Sequence, residues 1–329
     1  MYSLELTPKQ KELYELAKKD VAKYQEKGLY PKIDMHIHTT MSDGVFSIPH
    51  VIKMAQEFGL QEIYITDHNT CLPGYELLNS LSDKFIGDLE VHVGCEIASK
   101  IEDIKTGKFI SIEILSYFAD PKKIQDFLNK YDFANNISQE EQLKTLLNIC
   151  DKLGLKYSQG ITIPDGSYAT EVLCRDLIKY EQNKDYFMSN APKVWTDPKL
   201  FFKMCVSNPD SDFYLDNTAG FPYYADTVKA INQAGGFAIV AHPFLYSRNT
   251  QEEVKQLMDK IVSTTNIHGF EAIHSSHTEE QRNFIKEYTY KNNLFYTGGT
   301  DFHSGSKTIL GYGQKQCPVA LQECGVLIF

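Results

Sequence analysis

Arginine is nearly missing from this chain. Of 33 basic residues in 329, three are Arg (Arg175, Arg248 and Arg282), and the formal net charge is −10. Holding long nucleic acid requires clustered Lys and Arg along the phosphates. The composition excludes that class and leaves room for a small phosphorylated ligand bound at one local site. Cysteine pairs are missing too: seven Cys stand at irregular spacing, with no CxxC. That is no disulfide framework and points to reduced thiols in a cytoplasm. No apolar run is long enough for a signal peptide or a membrane span, so we expect a cytoplasmic protein without a membrane partner. Repeats and low-complexity tracts are also lacking. What is present is 42% hydrophobic and 23% charged residues, enough to bury a sizeable core.

The residues before Pro31 read as one surface helix. Thr7 suits its cap and Pro8 its first turn, and Leu13, Leu16, Ala17, Val21 and Tyr24 recur at helical spacing. From Pro31 onward, strands alternate with helices. Strands are expected at 32–38, 62–66, 91–97, 110–118, 237–242, 269–274 and 294–299, with helices such as IPHVIKMAQEFG, DTVKAINQAGG and TEEQRNFIKEYTYKNN between several of them. This alternation predicts an α/β fold with a mostly parallel sheet, and seven strands suit a closed barrel. The rhythm breaks between Asp120 and Phe221, where helical patterns and loop-rich stretches predict an inserted, mostly helical cap. The expected organisation is a helix at 1–31, barrel at 32–119, cap at 120–221 over the barrel mouth, and barrel again at 222–329.

Imidazoles and carboxylates gather at the predicted strand ends. His36 and His38 alternate on the first strand, so both face one side. Asp43 follows in the next loop, His68 ends the second strand, Glu96 the third and His242 the fifth, and Asp301 and His303 follow the seventh. An HxH or a TDH alone is weak, because buried His and turn-forming Asp are common. Such residues at the mouth end of five strands predict a multinuclear metal site, since parallel barrels build active sites there.

DMHIHTTMSDG, ITDHN, GCEI, VAHP and GGTDFH resemble the ordered motifs of the PHP (polymerase and histidinol phosphatase) superfamily. The similarity covers about 32–118 and 222–313, and the insertion resembles a branch of stand-alone metal-dependent phosphoesterases. The resemblance implies a distorted (β/α)7 barrel holding two or three divalent ions, usually Zn, Mn or Fe. It places His36, His38, Glu96 and Asp301 on a first ion. Glu96 would bridge to a second ion with His242, and Asp43, His68 and His303 would take a third. It also implies hydrolysis of a phosphate monoester of a small molecule, such as a nucleotide or short oligonucleotide, by a metal-bound hydroxide. Rival readings are histidinol-phosphate phosphatase and a non-catalytic metal-binding module. Two positions depart from the branch. Glu113 stands in EILSYF where a His is usual, and YATEV replaces an Arg-Pro-His stretch.

Glu113 is expected to be a ligand of the second ion, with a Lys salt bridge as the alternative. Asp67 reads as an acceptor beside the ligands. Arg248 is expected either to contact a phosphate or to lie solvated in its loop. His277 is favoured for a substrate-side or general-acid role, although His274 at the same strand end is not separable from it. His50, His92 and His268 read as structural, and Cys95 as barrel packing.

Overall fold

The structure, a computed structural model, describes residues 5–133, 138–305, 308–314 and 317–318. Residues 1–4, 134–137, 306–307, 315–316 and 319–329 of the expected segments lie outside the described residues. The chain divides into two compact units. One comprises Met1–Ser99, Ile112–Tyr131 and Pro222–Phe329; the other comprises Lys100–Ser111 and Asp132–Phe221.

In the first unit, helix α1 (Pro8–Gln25) starts at a capping box in which Thr7 and Gln10 each accept the other's backbone N–H. Ala17, Val21 and Tyr24 are its buried stripe. Strand β1 (Ile33–Ile37) leads to α2 (Ile48–Phe58), which carries Pro49 in its first turn and ends at Gly59 with φ 85°. Strands β2 (Glu62–Ile65) and β3 (Glu90–Val93) pair in parallel in the order β1-β2-β3. Ile37, Phe46, Val51, Ile63, Ile65, Phe302 and Tyr312 fill the core beside this sheet.

The second sheet has the order β4-β5-β6-β7-β8, with β4 Cys95–Glu102, β5 Phe109–Tyr117, β6 Phe237–Val240, β7 Gly269–His274 and β8 Phe295–Gly299. Strands β6, β7 and β8 are parallel, as the sequence pattern predicts. Two expectations need correction. The run 91–97 is two strands, broken at Gly94, where a Cβ would stand 2.3 Å from the Ser116 carbonyl oxygen. Strand β5 runs antiparallel to β6, because a short loop at 103–108 turns the chain back from β4 with no crossover helix. Among the described residues, isolated bridges join the two sheets at Ile37–Phe302 and His68–Glu96, and no continuous closed barrel ladder is present.

The other unit has its own core, built from Leu146, Leu173, Phe187, Phe201 and Phe213 among others. Its helices include Gln139–Leu153 and Ala169–Leu177. Its limits differ from the expected insertion: helix Pro121–Leu128 belongs to the first unit, whereas residues 100–111 of the β4–β5 hairpin belong to the second. Among the described residues, no helix is long and apolar enough to cross a membrane.

Gly299 sets the spacing between β8 and β1. A Cβ there would lie 2.2 Å from the His36 Cβ and 2.5 Å from the His36 backbone nitrogen. We expect Gly299→Ala to destabilise the protein by about 1–3 kcal/mol in urea unfolding, the usual cost of overpacking. An unchanged midpoint would show that the strands part freely at this point.

Candidate metal centre

The parallel strands deliver the ligand candidates to one place. His36 lies on β1 and His38 directly after it, two residues apart on one face. His68 follows β2, Glu96 opens β4, His242 follows β6, and Asp301 and His303 follow β8. Two of these positions hold unusual backbone: φ is 22° at His242 and 54° at Asp301. Such conformations in residues other than glycine cost free energy and persist where surrounding contacts enforce them.

His36, His38, Glu96 and Asp301 form the tightest group. The two Nε2 atoms are 3.1 Å apart, and each is 3.1 Å from Glu96 Oε2. Asp301 Oδ1 is 3.5 Å from His36 Nε2 and 3.2 Å from His38 Nε2. Four ligands on a tetrahedral ion with bonds of 2.0–2.2 Å stand about 3.3–3.6 Å apart. Glu96 Oε2 is buried and makes no hydrogen bond although imidazole nitrogens surround it. The donor set therefore fits a divalent cation.

Two looser groups adjoin it. Glu96 Oε1 lies 3.1 Å from His242 Nε2, and Glu113 Oε2 lies 3.4 Å from the same nitrogen. His68 Nδ1 faces Glu96 Oε2 at 3.2 Å and Glu113 Oε1 at 3.8 Å. On the other side, Asp43 Oδ2 is 3.3 Å from His303 Nε2 and 3.9 Å from His68 Nε2, with His38 Nδ1 3.6 Å from Asp43 Oδ1. His303 Nδ1 donates to the Asp301 carbonyl, which leaves Nε2 as the ring atom facing Asp43.

The electrostatics are those of a site built for cations. Burial opposes charge on Glu96, yet His36 and His68 hold its carboxyl well below the usual range. Burial likewise opposes charge on His38 and His242, and their carboxylate neighbours raise both to about 9. Burial and the nearby Glu96 push Glu113 up to about 7. Burial acts to raise Asp43, but the hydrogen bond to His303 holds it at about 2. In such a cluster, metal and proton compete for the same lone pairs.

The PHP domain profile matches residues 34–272. The chain belongs to the PHP domain family. It is 25% identical over 274 residues to a 5'-3' exoribonuclease of Haemophilus influenzae, covering 83% of this chain and 90% of that protein. It is 22% identical over 270 residues to a phosphoribosyl 1,2-cyclic phosphate 1,2-diphosphodiesterase of Eggerthella lenta, covering 82% and 93%. Among solved structures, its fold resembles a candidate metal-dependent phosphoesterase from Bifidobacterium adolescentis, with TM-score 0.51, 22% identity, and 86% and 92% of the two chains covered. It also resembles an amidohydrolase from Chromobacterium violaceum bound to sulfate without metal, with TM-score 0.55, 20% identity, and 85% and 90% covered.

Around the cluster, Arg248 differs from the sequence expectation, whereas Asp67, the outlying histidines and Cys95 follow it. Arg248 is not solvated: it is buried, with Nη1 3.7 Å from Glu253 Oε1. Asp67 accepts from Thr39 N at 2.7 Å, Thr39 Oγ1 at 2.7 Å and Ser42 Oγ at 2.6 Å, so it shapes the loop that carries Asp43. His50 bonds Ser47, His92 stacks on Tyr64, and His268 accepts from Ala238 N. Cys95 is fully buried.

Sequence reasoning missed two buried carboxylates. Asp34 accepts from Thr300 N at 2.9 Å, Thr300 Oγ1 at 2.5 Å and Gly311 N at 2.8 Å, which ties β1 to the loop bearing Asp301. Glu271 on β7 accepts from His36 Nδ1 at 3.0 Å and from the His242 backbone N–H at 2.9 Å. The available signal was an acid inside GFEAIH, a strand buried at every position.

The general-acid role expected for His277 does not suit its surroundings. Its Nδ1 donates to the Ala272 carbonyl, and burial together with His274 lowers its pKa to about 3. It stays neutral in the folded protein and takes a proton when unfolded. Stability is therefore full above about pH 6.5 and declines as pH falls toward 3. We expect wild-type protein to lose roughly 1–2 kcal/mol between pH 6.5 and 5 from this group. His277→Asn should flatten that part of the profile in urea titrations. Equal slopes for the two proteins would show that His277 is protonated in the native state.

Proposed function

We propose that this chain is a metal-dependent phosphoesterase that hydrolyses a phosphate monoester of a small molecule, with ribose phosphates such as nucleotides and short oligonucleotides as the favoured class. The observation that carries this reading is the close gathering of His36, His38, Glu96 and Asp301, where no protein atom satisfies Glu96 Oε2. Family membership supports phosphoester chemistry. The two curated relatives are named for RNA and for a phosphoribosyl cyclic phosphate, which favours a ribose-bearing substrate.

Two or three ions of the Zn, Mn or Fe type fit the donors. The first would sit among His36, His38, Glu96 and Asp301, the second among Glu96, Glu113 and His242, and the third among Asp43, His68 and His303. Ions so held supply activation of water and charge neutralisation on the phosphoryl oxygens. The protein's own part is positional. Glu96 offers one oxygen to each of two neighbouring groups. Asp34 and Asp67 fix the loops that carry the outer ligands.

His274 is better placed than His277 to handle a proton. Ser276 N–H donates to His274 Nδ1, which puts the ring proton on Nε2, 3.6 Å from Asp301 Oδ2. A donor there suits a phosphoryl oxygen or a departing alkoxide.

Metal-replete protein should be tested on nucleoside monophosphates, 3',5'-bisphosphates, sugar phosphates, histidinol phosphate and short oligonucleotides. We expect the highest kcat/KM on a ribose phosphate, abolition by chelation, and a loss of more than about 100-fold in Asp301→Ala, beyond the range for changes outside the ligand shell. Preference for histidinol phosphate would move the chain to that rival activity. Metal uptake with no turnover on any ester would favour the non-catalytic module.

Glu113 has its own test. Among the described residues it pairs with His68 and His242 and with no Lys or Arg, contrary to the salt-bridge alternative. Glu113→Ala should lower bound metal by about one equivalent and reduce turnover together, whereas Glu113→His should restore part of both. Full metal content at the wild-type rate in Glu113→Ala would remove Glu113 from the ligand set.

A further inference from the structure

Glu271 is fully buried in the middle of β7, where a carboxylate has no water to solvate it. Each of its oxygens has one assigned donor. Oε1 takes His36 Nδ1–H at 3.0 Å, and Oε2 takes the His242 backbone N–H at 2.9 Å. These two donors belong to different groups of the cluster: His36 faces Asp301, and His242 faces Glu113. His242 is also the residue held at φ 22°.

We propose that Glu271 is a positioning residue that sets the tautomer of His36 and the backbone pose of His242 together, so that one carboxylate outside the ligand set prepares both the first and the second metal group and leaves the third independent. The inference rests on the metal reading of the site. An imidazole whose Nδ1–H is taken up by a carboxylate presents a lone pair at Nε2, and in His36 that atom is the one 3.1 Å from Glu96 Oε2. The third group, Asp43, His68 and His303, makes no hydrogen bond to Glu271.

Only a carboxylate can serve both donors. In Glu271→Gln the side chain keeps its size but has one accepting oxygen. With that oxygen toward His36, the amide NH2 opposes the His242 N–H. With it toward His242, the NH2 donates to His36 Nδ1 and drives the ring proton to Nε2, which blocks the lone pair. Either orientation harms a group that the wild-type residue supports.

The test is titration of metal-free full-length protein with Zn2+ alone, read as bound equivalents and affinity, for wild type, Glu271→Gln and Glu271→Asp. We expect Glu271→Gln to bind at least one of the first two ions about 10–100-fold more weakly, the usual cost of losing such a partner, while the third keeps its affinity. Glu271→Asp, which keeps both acceptors on a shorter arm, should fall between. Nitrogen-15 NMR of zinc-loaded wild type should show His36 protonated at Nδ1 and ligating through Nε2. Equal stoichiometry and affinity in Glu271→Gln overturns the inference while leaving the metal reading intact. So does ligation of His36 through Nδ1 in wild type, which decides the matter even if Glu271→Gln does not fold. Wild-type protein that takes up no zinc overturns the metal reading itself and this inference with it.

Discussion

Glu96 carries a carboxylate into a place that water does not reach, and imidazoles of His36, His38 and His68 close to within 3.1–3.2 Å of its Oε2. A buried anion without compensation costs several kcal/mol. Imidazole protons can supply that compensation, and a divalent cation can supply it better while accepting the same lone pairs. Asp301 adds a second carboxylate beside the first, and Glu113 a third, so positive charge must gather there whenever the fold is intact. The ends of β1 and β8, the loop after β2, the start of β4 and the bend after β6 all meet at this concentration of acids.

The supporting structure spends its polar groups on keeping those pieces still. Asp34 joins β1 to the loop of Asp301, Asp67 braces the loop of Asp43, and Glu271 spans β1 and the bend at His242. Gly299 lets β8 approach β1 closely enough for His36 and Asp301 to share one point. The unfavourable backbone angles at His242 and Asp301 are held by this network. A site fixed in this way needs little rearrangement to bind an ion, which is the advantage of rigid supporting contacts.

Much of the cluster was legible because strand chemistry is local. Alternation places His36 and His38 on one face, and a parallel α/β pattern sends strand ends to one side. Glu271 and Asp34 were not legible, because an acid in a strand reads by default as a solvent-facing position. His274 ends β7 and His277 follows three residues later, and only their hydrogen bonds tell which ring keeps an available proton. The reversal of β5 was hidden as well: the preceding strand was expected to end at 97, which left a connection long enough for a crossover, whereas β4 runs on to Glu102 and turns back through a short loop.

By itself the sequence determined the kinds of ligand, their order, and the alternation of strands and helices that brings them to one edge. Those follow from residue chemistry and from periods of two and 3.6 residues, which act over a few positions. The tertiary structure alone decided which atoms face one another. His36 and Glu271 lie 235 residues apart and meet at 3.0 Å. Such a distance depends on sheet register, twist and packing summed over the whole unit, and no local pattern encodes that sum.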